Sequence, residues 1–186
     1  MAASPETVAL AARVAEALAR IAEEIGSGRP DVCGSRFVEL EAWELAWAGA
    51  PAVVGGELNP AELVERLLSR LAPLVATVNA QTRRPRSALW RGAGDRLAQA
   101  LMLAGETAGD PQAGEEAARR ALEVPGPMSG SFRVAEVALD GAVERVQLRN
   151  GCCLWSKIPG EPKCSVCPLL PEAERAERRR AERVEA

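Results

Sequence analysis

The chain has 186 residues, with 23 basic and 26 acidic side chains, a formal net charge of -3 and no histidine. That length supports one hydrophobic core with a small appendage, and the charge gives no global case for nucleic-acid binding. The missing histidine excludes His-ligated metal sites, Rieske-type centres and every His-dependent triad.

The first residues, MAASPETVAL, carry neither a basic region nor a continuous apolar core, so no signal peptide is expected. No apolar run is long enough to span a bilayer, and the cytoplasm is the default location. Few aromatics and much Ala, Leu, Glu and Arg predict a mainly helical fold.

Ser4 and Pro5 open the first predicted helix, as cap and first-turn proline. Leu10, Val14, Leu18, Ile21 and Ile25 recur at helical spacing, and Gly26–Pro30 stops it. A second helix is expected over Arg36–Ala48, followed by a loop at Pro51–Leu58. In it Trp43 and Trp47 share a face and read as core, and the isolated Cys33 reads as a small buried hydrophobe. Asn59-Pro60 starts a third helix with Leu63, Leu67, Leu71, Leu74 and Val78 on its apolar face, kinked at Pro73 and broken over Thr82–Pro85. Arg83, Arg84 and Arg86 there form either an anion site or, more commonly, a solvated turn. Ser87 is expected to cap a fourth helix containing Leu89, Trp90, Arg91, Gly92 and Gly94, the two glycines permitting close approach of another backbone. Asp110-Pro111 starts a short fifth helix to about Leu122.

After Pro127 the pattern changes. FRVAEVAL and AVERVQLR flank Asp140-Gly141, the turn pair of a two-residue hairpin. The second strand leads into GCCLWSKIPGEPKCSVCP, which holds four of the five cysteines: Cys152, Cys153, Cys164 and Cys167. Thiolates in such a cluster point to a metal or iron–sulfur site. A four-cysteine zinc site is one reading, and a disulfide framework is a weaker one. An adjacent pair without a spacer fits a zinc ribbon poorly and favours a [2Fe–2S] cluster. The remaining sequence, PEAERAERRRAERVEA, reads as a solvated helix or a disordered tail.

The segment Val146–Leu170 resembles the C-terminal segment of the FhuF-like ferric-siderophore reductases. The resemblance rests on Cys152-Cys153-Leu154-Trp155, Ile158-Pro159-Gly160 and Cys164-Ser165-Val166-Cys167-Pro168-Leu169. Where that family has Arg-Arg and a small hydroxyl residue before the pair, this chain has Arg149-Asn150-Gly151. A weaker likeness at Leu89-Trp90 extends it back to about Pro60.

The resemblance implies a [2Fe–2S] cluster on all four cysteines, a ferric siderophore as substrate and an external electron donor, because no G-x-G-x-x-G follows a strand. Trp155, Arg91 and Trp90 are the expected substrate-side residues, and Arg145, Arg149, Lys157 and Lys163 the expected offset to the cluster's charge. A non-catalytic module holding zinc or a structural cluster is the alternative. The expected architecture is a helical bundle over residues 1–127, a β-hairpin with the cysteine segment over 128–170, and a charged tail over 171–186.

Overall fold

The computed structural model describes residues 4–139 and 141–184; the side chains of Ala142, Glu172, Ala173, Arg183 and Val184 lie outside that description. The fold is mainly α, with a small two-stranded hairpin near the C-terminus followed by the cysteine segment. Five helices come first: α1 Pro5–Glu24, α2 Pro30–Val54, α3 Pro60–Thr82, α4 Arg86–Thr107 and α5 Pro111–Glu123. Strands β1 Val134–Leu139 and β2 Ala142–Gln147 pair antiparallel, and α6 Glu172–Val184 ends the chain. Among the described residues no helix is long and apolar enough to cross a membrane.

The caps follow from short polar side chains that take up orphan N–H groups at helix starts. Ser4 Oγ accepts from Thr7 N at 3.2 Å, Asn59 Oδ1 from Ala61 N at 2.8 Å, and Asp110 Oδ1 from Ala113 N at 3.0 Å. Ser87 is not a cap: α4 begins one residue earlier, with Pro85 at the cap position.

Helix α2 is the main correction to the sequence reading. It starts at Pro30, which suits a first helical position, and runs through Pro51 to Val54. The reason is tertiary. Val32, Cys33, Val38, Ala42, Ala46, Ala50 and Val53 are all buried, so α2 is covered on several sides by α1, α3 and α4. Burial of that many apolar side chains outweighs one hydrogen bond lost to Pro51. Its stacked Trp43 and Trp47 rings, 5.7 Å apart and 8° from parallel, are partly solvent-facing. Helix α3 likewise continues through Pro73.

Helices α4 and α5 pack with backbone against backbone. A Cβ on Gly105 would come within 2.6 Å of Gly114 Cα and 2.7 Å of Asp110 O. Gly105→Ala therefore sets about 1 kcal/mol of helix propensity against an overpacking cost of about 1–3 kcal/mol. Rigid backbone on the far side puts that cost at its upper end. Thermal unfolding is expected to show a lower Tm for this variant.

The hairpin register pairs Leu139 with Ala142 and Val134 with Gln147. Gly141 takes φ 84°, as the expected turn requires; Asp140, its expected partner in the turn, lies outside the described residues. Val137, Leu139 and Val146 form a second small core with Ala135, Val166 and Ala176. That core joins the hairpin to the cysteine segment and to α6. The tail is helical, one of the two expected forms, and is docked on this core where the expectation had it solvated.

Candidate metal centre

The residues before the first cysteine pair fix it to the helical body. Arg149 is 7% exposed and forms a bidentate pair with Glu39 of α2, Nη1 to Oε2 at 3.1 Å and Nη2 to Oε1. Arg96 of α4 shares the same carboxylate, its Nη2 donating to Oε2 at 3.0 Å. Asp95 of α4 accepts from Asn150 N at 2.8 Å, Asn150 Nδ2 at 3.2 Å and Gly151 N at 3.0 Å. Burial pushes the Asp95 carboxyl up, against the charge of Arg149 and these N–H groups. Burial also opposes the charge on Arg149, but Glu39 holds its pKa above the ordinary value.

Close approach makes this docking possible. A Cβ on Gly151 would sit 3.4 Å from Gly92 N and 3.3 Å from Arg91 Cβ, and one on Gly92 would sit 3.2 Å from Glu39 Oε1. The fourth helix therefore does meet the cysteine segment at Gly92. Gly94 serves another purpose, facing Met128 O.

The four cysteines are carried on two loops. Leu154 takes φ 62° after the first pair and leads into a single 3-10 turn, Trp155–Lys157. Cys167 N donates to Cys164 O at 3.0 Å, closing the Cys-x-x-Cys turn. Cys153 and Cys164, one from each loop, line one cavity. The neighbouring Cys164 thiol lowers the Cys153 thiol, with burial opposing and Arg149 and the Trp155 N–H assisting. The Cys153 neighbour and burial both raise Cys164. Cys167 is near enough to act on Cys164 electrostatically, and Cys152 is held by its carbonyl, which accepts from Arg84 Nη2 at 2.7 Å.

Among the described residues no three His, Cys, Asp or Glu side chains already converge as a metal cage. The surroundings nonetheless fit an acceptor-only anionic group. The buried side-chain N or O atoms without a partner are Arg84 Nε, Gln147 Nε2 and Arg175 Nε, among the described residues. All three are donors. Arg84 bonds Cys152 O, Arg175 bonds Ser165 O, and Gln147 lines the cavity beside the thiols. Thiolates and sulfides offer only acceptors, so a thiolate-held cluster suits a shell of spare N–H groups.

Cys153, Cys164 and Trp155 line a cavity of about 530 Å³ between α2, α4, β2 and α6. Arg36 of α2 lines it too and makes no hydrogen bond or ion pair with a described residue; burial, then the nearby Arg96, lowers its pKa. Other expectations do not hold in the geometry. Trp90 is 9% exposed in the main core, and Arg91 is exposed; neither lines the cavity. Of the four cations expected beside the cysteines, Arg149 is there. Arg145 lines the same cavity but is paired with Glu115 and Glu136, Lys163 reaches Leu169 O, and Lys157 is exposed. Cys33 is 2% exposed, with its thiol donating to Ser27 O at 3.4 Å, apart from the site.

Glu39, Asp95 and Arg36 were not singled out from the sequence. The signal for Glu39 and Asp95 was there: each is an acid inside an otherwise buried helical face, a placement that demands a partner. Searches against family models, curated proteins and solved structures returned no match to this chain.

Proposed function

We propose that this chain is an electron-transfer protein of the ferric-siderophore reductase type, with Cys152, Cys153, Cys164 and Cys167 holding a [2Fe–2S] cluster. The observation that carries the reading is that Cys153 and Cys164, one from each cysteine loop, share one cavity wall, with spare buried donors around the loops. When bound, such a cluster supplies one-electron transfer at a potential set by charge and hydrogen bonding.

The chain's own residues supply the rest. Arg149, Arg96 and Arg36 gather beside Cys153 and offset negative charge there. Glu39 holds two of the three in place. A cavity of about 530 Å³ falls in the size range of small-molecule sites and gives a ferric chelate an approach to the thiols. Trp155, anchored by its Nε1–H to Glu161 Oε2 at 2.7 Å, forms part of that approach. An oxygen-rich chelator grips Fe(II) far less tightly than Fe(III), so reduction frees the metal. The electron comes from an external donor. A second reading, a structural site holding zinc, is favoured by the placement of the cysteines where hairpin, α6 and helical body meet.

The test is reduction of ferric siderophores by anaerobic, dithionite-reduced and desalted protein, with Fe(II) trapped by a chromogenic chelator. Trp155→Ala and Arg36→Gln, at wild-type cluster content, are expected to slow the reaction. For Arg36→Gln the loss is roughly tenfold at low salt and smaller at high salt. Arg91→Ala is expected to match wild type. Absence of Fe(II) from the wild type, or equal rates in all four proteins, would contradict the proposal.

A further inference from the structure

Ser165 lies between Cys164 and Cys167 and is 1% exposed. Its polar groups are all engaged by α6. The backbone N–H donates to Glu182 Oε1 at 2.8 Å, and the hydroxyl bonds Glu182 Oε2 at 2.7 Å. The carbonyl accepts from Arg175 Nη1, while Arg175 Nη2 reaches Leu170 O at 3.0 Å. One guanidinium therefore ties both ends of segment 165–170. Arg175 is 5% exposed, an unusual place for a charge on a helix this polar. Arg179 completes the arrangement by binding Glu182 at 3.2 Å and Glu144 of β2. Under these bonds Ala176 and Val166 share the small core of the hairpin.

A charged helix that merely covered apolar surface would leave its ionic groups in water. Here a buried base and a half-buried acid converge on one residue of the Cys-x-x-Cys turn. The cost of burying Arg175 is offset only while the turn keeps its shape.

We propose that Arg175 and Glu182 are positioning residues that hold the Cys164–Cys167 turn so that Cys164 stays on the cavity wall it shares with Cys153. Arg84 is their counterpart on the other pair, through Cys152 O. The role rests on the metal-centre reading only for what the thiols hold; the shared cavity wall is formed by the chain itself.

The test uses the full-length, reduced, metal-free protein and dibromobimane, which becomes fluorescent on bridging two neighbouring thiols, with bridged peptides mapped by mass spectrometry. Wild type is expected to give a Cys153–Cys164 product. Glu182→Ala and Arg175→Ala are expected to slow its formation about tenfold, the size of effect that lost charge-assisted hydrogen bonds give. Glu182→Gln, which keeps one carbonyl acceptor, is expected to fall between. Arg180→Ala, an exposed change on the same helix, is expected to leave the rate alone. If Arg175→Ala does not fold by circular dichroism, the two Glu182 variants decide. No Cys153–Cys164 product in wild type, or wild-type rates in the folded variants, would overturn the positioning role. A colourless protein whose bridging still depends on Glu182 would overturn the cluster reading and support the positioning role. A [2Fe–2S] protein whose bridging ignores Glu182 would do the reverse.

Discussion

Replacing Cys153 or Cys164 with serine is expected to remove the bound iron and sulfide altogether, and Cys33→Ser is expected to leave both at wild-type levels. Cys153 and Cys164, one from each cysteine loop, line the same cavity. A serine oxygen is a harder and, at neutral pH, protonated ligand, so the substitution removes the anionic sulfur that the site provides. Cys152→Ser and Cys167→Ser are expected to act in the same direction, as both would complete the proposed four-thiolate set. Cys33 packs in the main core, and the change to serine there alters stability alone. Iron and sulfide analysis of the anaerobically purified variants checks the series. An intact cluster in Cys153→Ser, or full loss in Cys33→Ser, would contradict the ligand assignment.

The second large effect is expected at Glu39. Its side chain is 4% exposed and bonded to Arg149 and Arg96. Glu39→Ala leaves the Arg149 guanidinium, itself 9% exposed, without its main counter-charge. Breaking a buried pair by removing one partner costs about 3–5 kcal/mol. For a chain of this size that corresponds to a fall in Tm of roughly 10 °C, at about 2–4 °C per kcal/mol. Replacing both partners together, as Glu39→Leu with Arg149→Met, is expected to recover part of the loss, because neither member of the pair is then left without the other. Arg149→Met alone is also expected to destabilise, since it leaves Glu39 with Arg96 only and takes a counter-charge from buried Asp95. Thermal melts of wild type, Glu39→Leu, Arg149→Met and their combination form a double-mutant cycle. Additive losses would show that the pair is not the element holding Arg149-Asn150-Gly151 to the helices.

Local signals in the sequence account for much of the fold. Helix starts at Pro5, Pro60 and Pro111 follow from a capping side chain and a proline in the first turn, both read within a few residues. The hairpin was legible because Gly141 interrupts a short run of alternating apolar residues. Helix α2 was misjudged because Pro51 was read as the start of a loop, whereas burial on several sides sustains the helix from Pro30 to Val54. The tail was misjudged for a related reason. PEAERAERRRAERVEA has almost no apolar face, and what docks it is a set of directed polar bonds from Arg175, Arg179 and Glu182. Periodicity does not report partners of that kind.

The site divides in the same way. The cysteines stood out through residue type and spacing alone. Arg149-Asn150-Gly151 looked like a departure from a familiar pattern, and in the structure it is the joint between cysteine segment and helical body. Its partners, Glu39 and Asp95, lie on two different helices, each more than fifty residues earlier in the chain. Only the packing of α2 against α4 brings them to the same place. Trp90 was chosen for a family likeness and belongs to the core, whereas Trp155 reaches the cavity.

The central claim is that the four cysteines of the C-terminal segment hold a redox-active [2Fe–2S] cluster. Ultraviolet–visible absorption of protein purified without oxygen, with iron, sulfide and zinc assayed on the same sample, tests it most directly. A brown protein is expected, with about two irons and two sulfides per chain, the composition of such a cluster, and visible bands that bleach with dithionite. A colourless protein carrying stoichiometric zinc and no sulfide would contradict it.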